Sequence, residues 1–219
     1  MPQFTLIQQA CIWAIPVLLA ITLHEAAHAY VAFRCGDNTA KMFGRLSLNP
    51  FRHIDPIGTV LIPLAIGLMT NFNFVFGYAK PVPINWNQLR NPRRDMILVT
   101  LAGPVANLIM AFLWAASFKI GMSLHPERSM PALFLLASAR AGMIINLVLA
   151  ALNLLPIPPL DGSRVVSSLL PPRKAMVYER IEPYGFFILL LLMFTGILNY
   201  ILMPFINLGL FTLRAIFQL

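Results

Sequence analysis

Charged residues are scarce in this chain. Of its 219 residues only 11% are charged, whereas 58% are hydrophobic, and the mean hydropathy is +0.75. A soluble domain carries about 25% charged residues, so this composition excludes an ordinary water-soluble globule. We therefore predict an integral membrane protein that forms one domain over residues 1–219, with its core in 5–165 and apolar C-terminal segments in 184–219.

Cysteine is almost absent, since the chain has only Cys11 and Cys35. Two cysteines without a spacing pattern do not form a disulfide framework, so we expect two ordinary thiols. The first four residues, Met-Pro-Gln-Phe, lack the positive charge of a secretory n-region, and no cleavage site follows the first apolar stretch. We therefore do not predict a removed signal peptide.

Acidic residues are also few: eight, against sixteen lysines and arginines, for a net charge of +8. Most of the basic residues fall in three short connections between apolar stretches, which is the pattern of cytosolic loops in membrane proteins. This distribution predicts the lipid bilayer as the partner and no nucleic-acid partner; the oligomeric state does not follow from it. The twelve residues are Arg34, Lys41, Arg45, Arg52, Lys80, Arg90, Arg93, Arg94, Arg164, Arg173, Lys174 and Arg180.

Long apolar stretches make up most of the chain. They predict an all-α polytopic membrane protein, a helical bundle with about four to six apolar segments and short strand-like or re-entrant connections. The last stretch is either two tightly joined spans or one span and an interfacial helix, with a break near Asn199 and Pro204. The stretches are 5–33, 56–76, 96–118, 131–155 and 184–219.

The first apolar stretch contains His24-Glu25-Ala26-Ala27-His28. Ionisable groups are costly in the bilayer and usually face a functional site. On a helix, this spacing places both imidazoles on one face with a carboxylate beside them. Such a pair binds zinc and keeps a general base next to it, so we predict a zinc hydrolase with its site inside the membrane. A polar pair that only packs helices is the alternative.

A catalytic zinc site needs three protein ligands, and Asp161 is the best remaining candidate. It follows a span directly, in Asn153-Leu-Leu-Pro-Ile-Pro-Pro-Leu-Asp161-Gly162, where the prolines prevent a continuous helix. The alternatives for Asp161 are a simple Asp-Gly turn or a helix N-cap. The other acidic residues lie in basic polar loops: Asp37, Asp55, Asp95, Glu127, Glu179 and Glu182.

A site built from His24, His28 and Asp161 restricts the topology. The basic loop 34–55 is predicted to be cytosolic, so residue 161 must approach the same face and an even number of crossings must lie between them. Segments 96–118 and 131–155 supply two crossings. Segment 56–76, interrupted by Pro63 and Gly67, must then enter and return or lie flat.

Three motifs in this order resemble the site-2 protease family of intramembrane zinc metalloproteases, in its small bacterial and archaeal form. They are His24-Glu25-x-x-His28, Gly103-Pro104-x-x-Asn107, and the Asn153 to Gly162 segment. Gly44-Arg-Leu-Ser-Leu-Asn-Pro50 and Lys80-Pro-Val-Pro83 are similar to connecting segments of that family. The resemblance covers roughly residues 20–165. A helix kink explains Asn107 as well as a catalytic role does.

The resemblance implies one zinc ion per chain held by His24, His28 and Asp161, with Glu25 as general base and Asn153 orienting or stabilising the reacting group. It also implies transmembrane protein substrates and a prokaryotic plasma (inner) membrane. The topology derived from the basic loops predicts an active site nearer the cytosolic face. An unwound substrate could pair with an edge strand, for which 80–85 is the first candidate and 45–48 the second.

Three other functions remain open at this stage. A metal or proton transporter would use the same histidines and aspartate, but it would need more polar residues deep in other spans. A catalytically inactive relative that binds membrane proteins would lack motif residues, and none is missing here. A membrane-surface zinc peptidase differs from an intramembrane endopeptidase only in where its substrates are cut.

Overall fold

The computed structural model describes residues 4–52, 55, 58, 61, 80–125 and 129–219. Within these ranges the regular structure is helical and no strand occurs. Short 3-10 turns cover Pro50–Arg52 and Trp86–Gln88. In chain order the α-helices are α1 (Leu6–Arg34), α2 (Thr39–Met42), α3 (Pro92–Ser123), α4 (Met130–Asn153), α5 (Asp161–Leu169), α6 (Pro172–Glu179), α7 (Glu182–Phe194) and α8 (Ile197–Phe217).

Four of these helices, α1, α3, α4 and α8, are long and apolar enough to cross a membrane. The shortest, α8, has 21 residues, which corresponds to about 31 Å of helix against a hydrocarbon layer of about 30 Å. The prediction of an all-α polytopic membrane protein is thereby confirmed. The predicted re-entrant element at 56–76 lies outside the described residues, apart from positions 58 and 61.

Local sequence sets where the long helices begin. At α1, the Thr5 hydroxyl accepts from the Gln8 backbone N–H and the Gln8 side chain accepts from the Thr5 N–H, a reciprocal capping box. At α3, Pro92 occupies the first turn, where no intrahelical N–H is required. At α4, the Ser129 hydroxyl accepts from the Ala132 N–H. The Thr5 and Ser129 caps satisfy backbone donors that the helix cannot pair internally, and Pro92 has no such donor.

Small residues bring α1, α3 and α4 into close contact. The Gly142 backbone on α4 lies so near the Trp114 ring of α3 that an added Cβ would stand 2.4 Å from it. Gly209 of α8 lies against Leu147 of α4. Close backbone approach through small residues is the usual way in which helices associate in lipid, where no hydrophobic force drives them together. The large apolar side chains accordingly face outward, as Phe112, Leu113, Phe187 and Phe211 do.

The C-terminal stretch consists of one potential span and one shorter apolar helix, α8 and α7. Helix α7 has 13 residues, or about 20 Å, and is therefore too short to cross alone. The predicted position of the break was wrong, because the chain turns at Thr195–Gly196 and not near Asn199 and Pro204, both of which lie within α8. Gly196 adopts a left-handed conformation with φ +75°, which ends the preceding helix as a glycine readily does.

The two predicted strand-like segments, 45–48 and 80–85, have no strand assignment. The physical reason is visible in 80–85, where side-chain carboxylates take the backbone donors that a strand would use. The Val82 N–H donates to Glu25 Oε2 at 2.9 Å and the Asn85 N–H donates to Asp37 Oδ2 at 2.8 Å. Val82 also packs in a small cluster with Ala29 and Ala40. The segment is thus attached to α1 and the α1–α2 turn.

Substituting Gly142 should loosen the contact between α3 and α4. Gly142→Ala introduces a methyl group where the Trp114 ring lies, and overpacking of this kind costs about 1–3 kcal/mol. We expect a lower melting temperature for the detergent-solubilised protein. Combining it with Trp114→Leu, which removes the clashing ring, should cost less than the sum of the two single changes. Strict additivity would contradict the assigned contact.

Candidate metal centre

His24 and His28 lie one turn apart on α1 and face α3. Their Nε2 atoms are 3.0 Å apart, and the two residues are only 8% and 7% exposed. Spacing of i and i+4 on a helix produces this shared direction. The prediction that both imidazoles occupy one face of the first helix therefore agrees with the geometry.

Asp161 lies at the far end of the short segment that follows α4, and its carboxylate extends toward the two imidazoles. Its Oδ2 atom is 3.2 Å from His24 Nε2 and 3.3 Å from His28 Nε2. Asp161 is the first residue of α5, and Leu160 is the N-cap of that helix. The alternative in which Asp161 is the N-cap is therefore wrong. Gly162 permits this placement, because an added Cβ would lie 2.3 Å from the Leu154 carbonyl oxygen at the end of α4.

The outer nitrogen of each imidazole is hydrogen-bonded to an oxygen acceptor. His24 Nδ1 lies 2.6 Å from Asn107 Oδ1, and His28 Nδ1 lies 2.7 Å from the Val99 carbonyl oxygen. Because a carbonyl oxygen can only accept, each Nδ1 must carry a proton, which in a neutral imidazole is the single N–H of the ring. Each Nε2 consequently directs a lone pair toward the other ring and toward Asp161.

Three electron-rich atoms therefore converge without a proton between them. Among the described residues, none donates a hydrogen bond to the buried Asp161 Oδ2. Such an arrangement needs a cation at its centre.

A zinc ion fits this group. Ligand atoms at about 2.0–2.1 Å from a tetrahedral zinc lie about 3.3 Å from each other, and the three separations here are 3.0, 3.2 and 3.3 Å. Two neutral imidazoles and one carboxylate form a donor set that catalytic zinc accepts, with room for a fourth ligand. In the described part of the chain, these three residues are the group that could hold a metal ion.

Gly103 on α3 provides the space in which the imidazoles lie. A Cβ at this position would stand 2.4 Å from His28 Nε2 and 2.5 Å from His24 Cε1. The Gly103-Pro104 motif thus has a steric role beside the histidines, which the sequence alone did not reveal. Pro104 continues within α3 rather than ending it.

Glu25 follows His24 on α1, and a hydrogen bond from the connecting segment 80–85 holds its side chain. Its Oε2 accepts from the Val82 N–H. Val82 lies between Pro81 and Pro83, which have no N–H, so it is the one backbone donor available in that stretch of three residues. The connecting segment therefore holds the Glu25 carboxylate in a defined orientation.

The structure does not bring Asn153 into this hydrogen-bonded group. Asn153 is the last residue of α4, and its Nδ2 donates to the Leu149 carbonyl oxygen at 3.0 Å. Its predicted role stays a prediction. The amide that touches a histidine is Asn107, which in turn donates to Asn146 Oδ1 at 3.0 Å. Asn146 was missed, because a lone asparagine in an apolar span carries no motif.

Two acidic residues that were predicted to lie in polar loops, and were therefore not expected to be metal ligands, are buried. Asp37 is 0% exposed and accepts from the Thr39 N–H and hydroxyl as well as from the Asn85 N–H. Asp95 is 5% exposed and accepts from the Asn91 N–H at the start of α3. Both carboxylates have structural partners, which explains why they are not part of the His–Asp group.

Helices long enough to cross a membrane, with a buried His–His–Asp group between them, define a polytopic membrane protein with an internal metal centre. The sequence model of peptidase family M50 matches residues 120–196. The chain is 40% identical over 203 residues to YwhC of Bacillus subtilis, which is named as a zinc metalloprotease, covering 89% of this chain and 85% of YwhC.

Two mycobacterial relatives carry the same kind of name. Rip2 of Mycolicibacterium smegmatis and Rip2 of Mycobacterium tuberculosis are each 31% identical over 83% of this chain, which spans 66% of their length. No solved structure matches the chain. The chain belongs to peptidase family M50, the site-2 protease family, and is a zinc metalloprotease; the predicted family, enzyme class and cofactor are confirmed.

Substituting Gly103 should disturb the metal centre without removing a ligand. Gly103→Ala places a methyl group against both imidazoles, so we expect less zinc bound per protein, measured by elemental analysis of the purified protein. Gly121→Ala is the matched control on α3, since its Cβ would meet the flexible side chains of Leu136 and Leu135, at 3.1 and 3.6 Å. Equal zinc content in the two variants would contradict the steric role of Gly103.

Proposed function

We propose that this zinc metalloprotease is an intramembrane endopeptidase, which hydrolyses peptide bonds in or near transmembrane segments of other membrane proteins and so performs regulated intramembrane proteolysis. The observation that carries the proposal is the location of the His–His–Asp group inside the bundle of potential spans. His24 precedes the end of α1 at Arg34 by ten residues, which is about 15 Å along the helix. This depth lies within a hydrocarbon layer of about 30 Å.

The charge distribution supports a site nearer the cytosolic face of a prokaryotic plasma membrane. Arg34 ends α1, and the connection after it contains Lys41, Arg45 and Arg52. Positive loops remain on the cytosolic side. The metal centre lies closer to this end of α1 than to its N-terminal end, so water and substrate would reach it from the cytosol.

His24, His28 and Asp161 would hold the zinc ion, which supplies a Lewis acid and makes a water nucleophilic near neutral pH. Glu25 then serves as general base: it accepts a proton from the attacking water and delivers it to the leaving amine. The Val82 N–H donates to Oε2 of Glu25 and orients the carboxylate. Asn153 would donate to the developing oxyanion after its amide leaves Leu149.

A transmembrane substrate must unwind locally, because a helix uses its own carbonyl groups in hydrogen bonds. The segment 80–85 is a suitable place for the unwound strand, since it passes beside Glu25. Pairing would use the backbone groups that remain after Val82 and Asn85 have donated to Glu25 and Asp37. A surface zinc peptidase would instead cut outside the hydrocarbon layer.

Removing Asp161 should remove the metal. We expect one zinc per wild-type chain and a large loss in Asp161→Ala, because two imidazoles alone leave the ion short of a ligand. Elemental analysis of the protein in detergent measures this without knowledge of the substrate. Glu182→Gln is the control, since Glu182 is half-exposed and forms a long ion pair with Arg164 at 3.9 Å. Unchanged zinc in Asp161→Ala would refute the ligand set.

Glu25→Gln should abolish cleavage while zinc remains bound. The amide keeps the acceptor for the Val82 N–H but cannot accept the proton from water, so we expect a loss of at least about 100-fold in the rate. The readout is the mass of the fragments from a transmembrane model substrate in liposomes. Fragments ending within the hydrophobic segment support intramembrane cleavage, whereas fragments ending only outside it favour the surface peptidase.

A further inference from the structure

A chain of buried amides runs from the metal centre to the middle of α4. Asn107 Oδ1 lies 2.6 Å from His24 Nδ1, Asn107 Nδ2 donates to Asn146 Oδ1 at 3.0 Å, and Asn146 Nδ2 donates to the Gly142 carbonyl oxygen at 2.8 Å. Both asparagines are 0% exposed. The chain joins α1, α3 and α4, and neither asparagine can touch a substrate.

The direction of every hydrogen bond in this row of amides is set by the Gly142 carbonyl oxygen, where the row ends. The Gly142 carbonyl oxygen can only accept, so Asn146 must direct Nδ2 toward it and Oδ1 toward Asn107. Asn107 must then direct Nδ2 toward Asn146, where it also reaches the Ala20 carbonyl oxygen at 3.3 Å. This leaves Asn107 Oδ1 facing His24, which is therefore required to keep its proton on Nδ1.

We propose that Asn107 and Asn146 are positioning residues of the zinc site: together they hold the His24 imidazole in the tautomer whose Nε2 lone pair faces the metal. The inference rests on the proposed role of His24 as a ligand. An outer partner of a metal-bound histidine fixes the orientation of the ring and increases its basicity as a ligand. Asn146 exerts this effect without contacting any of the ligands, because it decides which end of the Asn107 amide faces His24.

His28 does not need such a chain. Its Nδ1 binds the Val99 backbone carbonyl directly, and a backbone carbonyl cannot reverse its polarity. An asparagine side chain can rotate by a half-turn and offer a donor in place of an acceptor. The Asn146 amide therefore keeps an acceptor facing His24, as the Val99 backbone carbonyl does at His28.

Zinc affinity measured by competition with a chelator tests the proposal independently of catalysis. Asn107→Leu removes the acceptor and should weaken zinc binding by about 10–100-fold, the usual effect of losing such a partner. Asn146→Leu should weaken it as well, because the Asn107 amide loses its orienting partner. Ser138→Ala is the control, since Ser138 is also buried on α4 but its hydroxyl has no hydrogen-bond partner in the described structure.

A double-mutant cycle separates positioning from packing. Asn107→Asp retains an acceptor for His24 Nδ1 in either orientation, so zinc affinity should exceed that of Asn107→Leu even though both variants lose the amide donor. In the Asn107→Asp background, Asn146→Leu should reduce zinc affinity little, because both carboxylate oxygens are acceptors and no second residue is needed to orient them. The absorption bands of bound cobalt report the same ligand geometry, and melting temperature reports packing separately.

The outcomes distinguish this inference from the proposed function. If wild-type protein requires Asp161 for zinc but zinc affinity is unchanged in Asn107→Leu and Asn146→Leu, the amide chain only packs helices and the inference fails alone. Zinc affinity that falls equally in Asn107→Leu and Asn107→Asp, in step with melting temperature, also overturns it. If Asp161→Ala retains zinc, the ligand set itself is wrong and both proposals fail.

Discussion

The convergence of three lone pairs in an apolar bundle is the constraint on which the rest of the site depends. His24, His28 and Asp161 present acceptor atoms to one another at little more than 3 Å, an arrangement that would be repulsive without a cation. The surrounding helices can approach these atoms closely because glycines, which have no side chain, lie where the helices meet. Gly103 admits the imidazoles, and Gly162 brings the start of α5 against the end of α4. The helices thus act as a rigid frame for three side chains.

A second group of contacts connects the metal centre to the polar segments outside the bundle. Glu25 and Asp37 each accept a backbone N–H from segment 80–85. One of these carboxylates is the proposed general base and the other is a fully buried anchor. Prolines on both sides of Val82 leave a single donor in position for Glu25, so this short segment has little freedom to bind in another register. The polar segments are therefore part of the active-site architecture and not merely links between spans.

The long helices and the metal centre could be predicted from sequence because each depends on strong local physics. Apolar length predicts spans, and the i, i+4 histidine pair predicts a shared face. Asp161 followed from the shortage of other carboxylates. The features that were missed depend on contacts between distant parts of the chain: the orientation of Asn107, the involvement of Asn146, and the burial of Asp37 and Asp95. Alternation near 45–48 and prolines in 80–85 predicted strand-like segments, but neither pattern reveals which groups take the backbone donors. In 80–85 those groups are the carboxylates of Glu25 and Asp37. The break at Gly196 was missed because one glycine in an apolar run carries little signal beside a proline.

The position of Asp161 along the chain has a consequence for biosynthesis. A metal centre that requires Asp161 cannot form while the ribosome is still making α3 and α4, although both histidines have long since entered the membrane. The hydrolytic centre is completed only after two further spans are inserted and the polypeptide turns back at the prolines after α4. A nascent protease of this design has no active centre at the time when its own unfolded segments are most accessible. If Asp161 is the third ligand, as proposed, hydrolytic activity therefore cannot precede the synthesis of the last ligand-bearing segment.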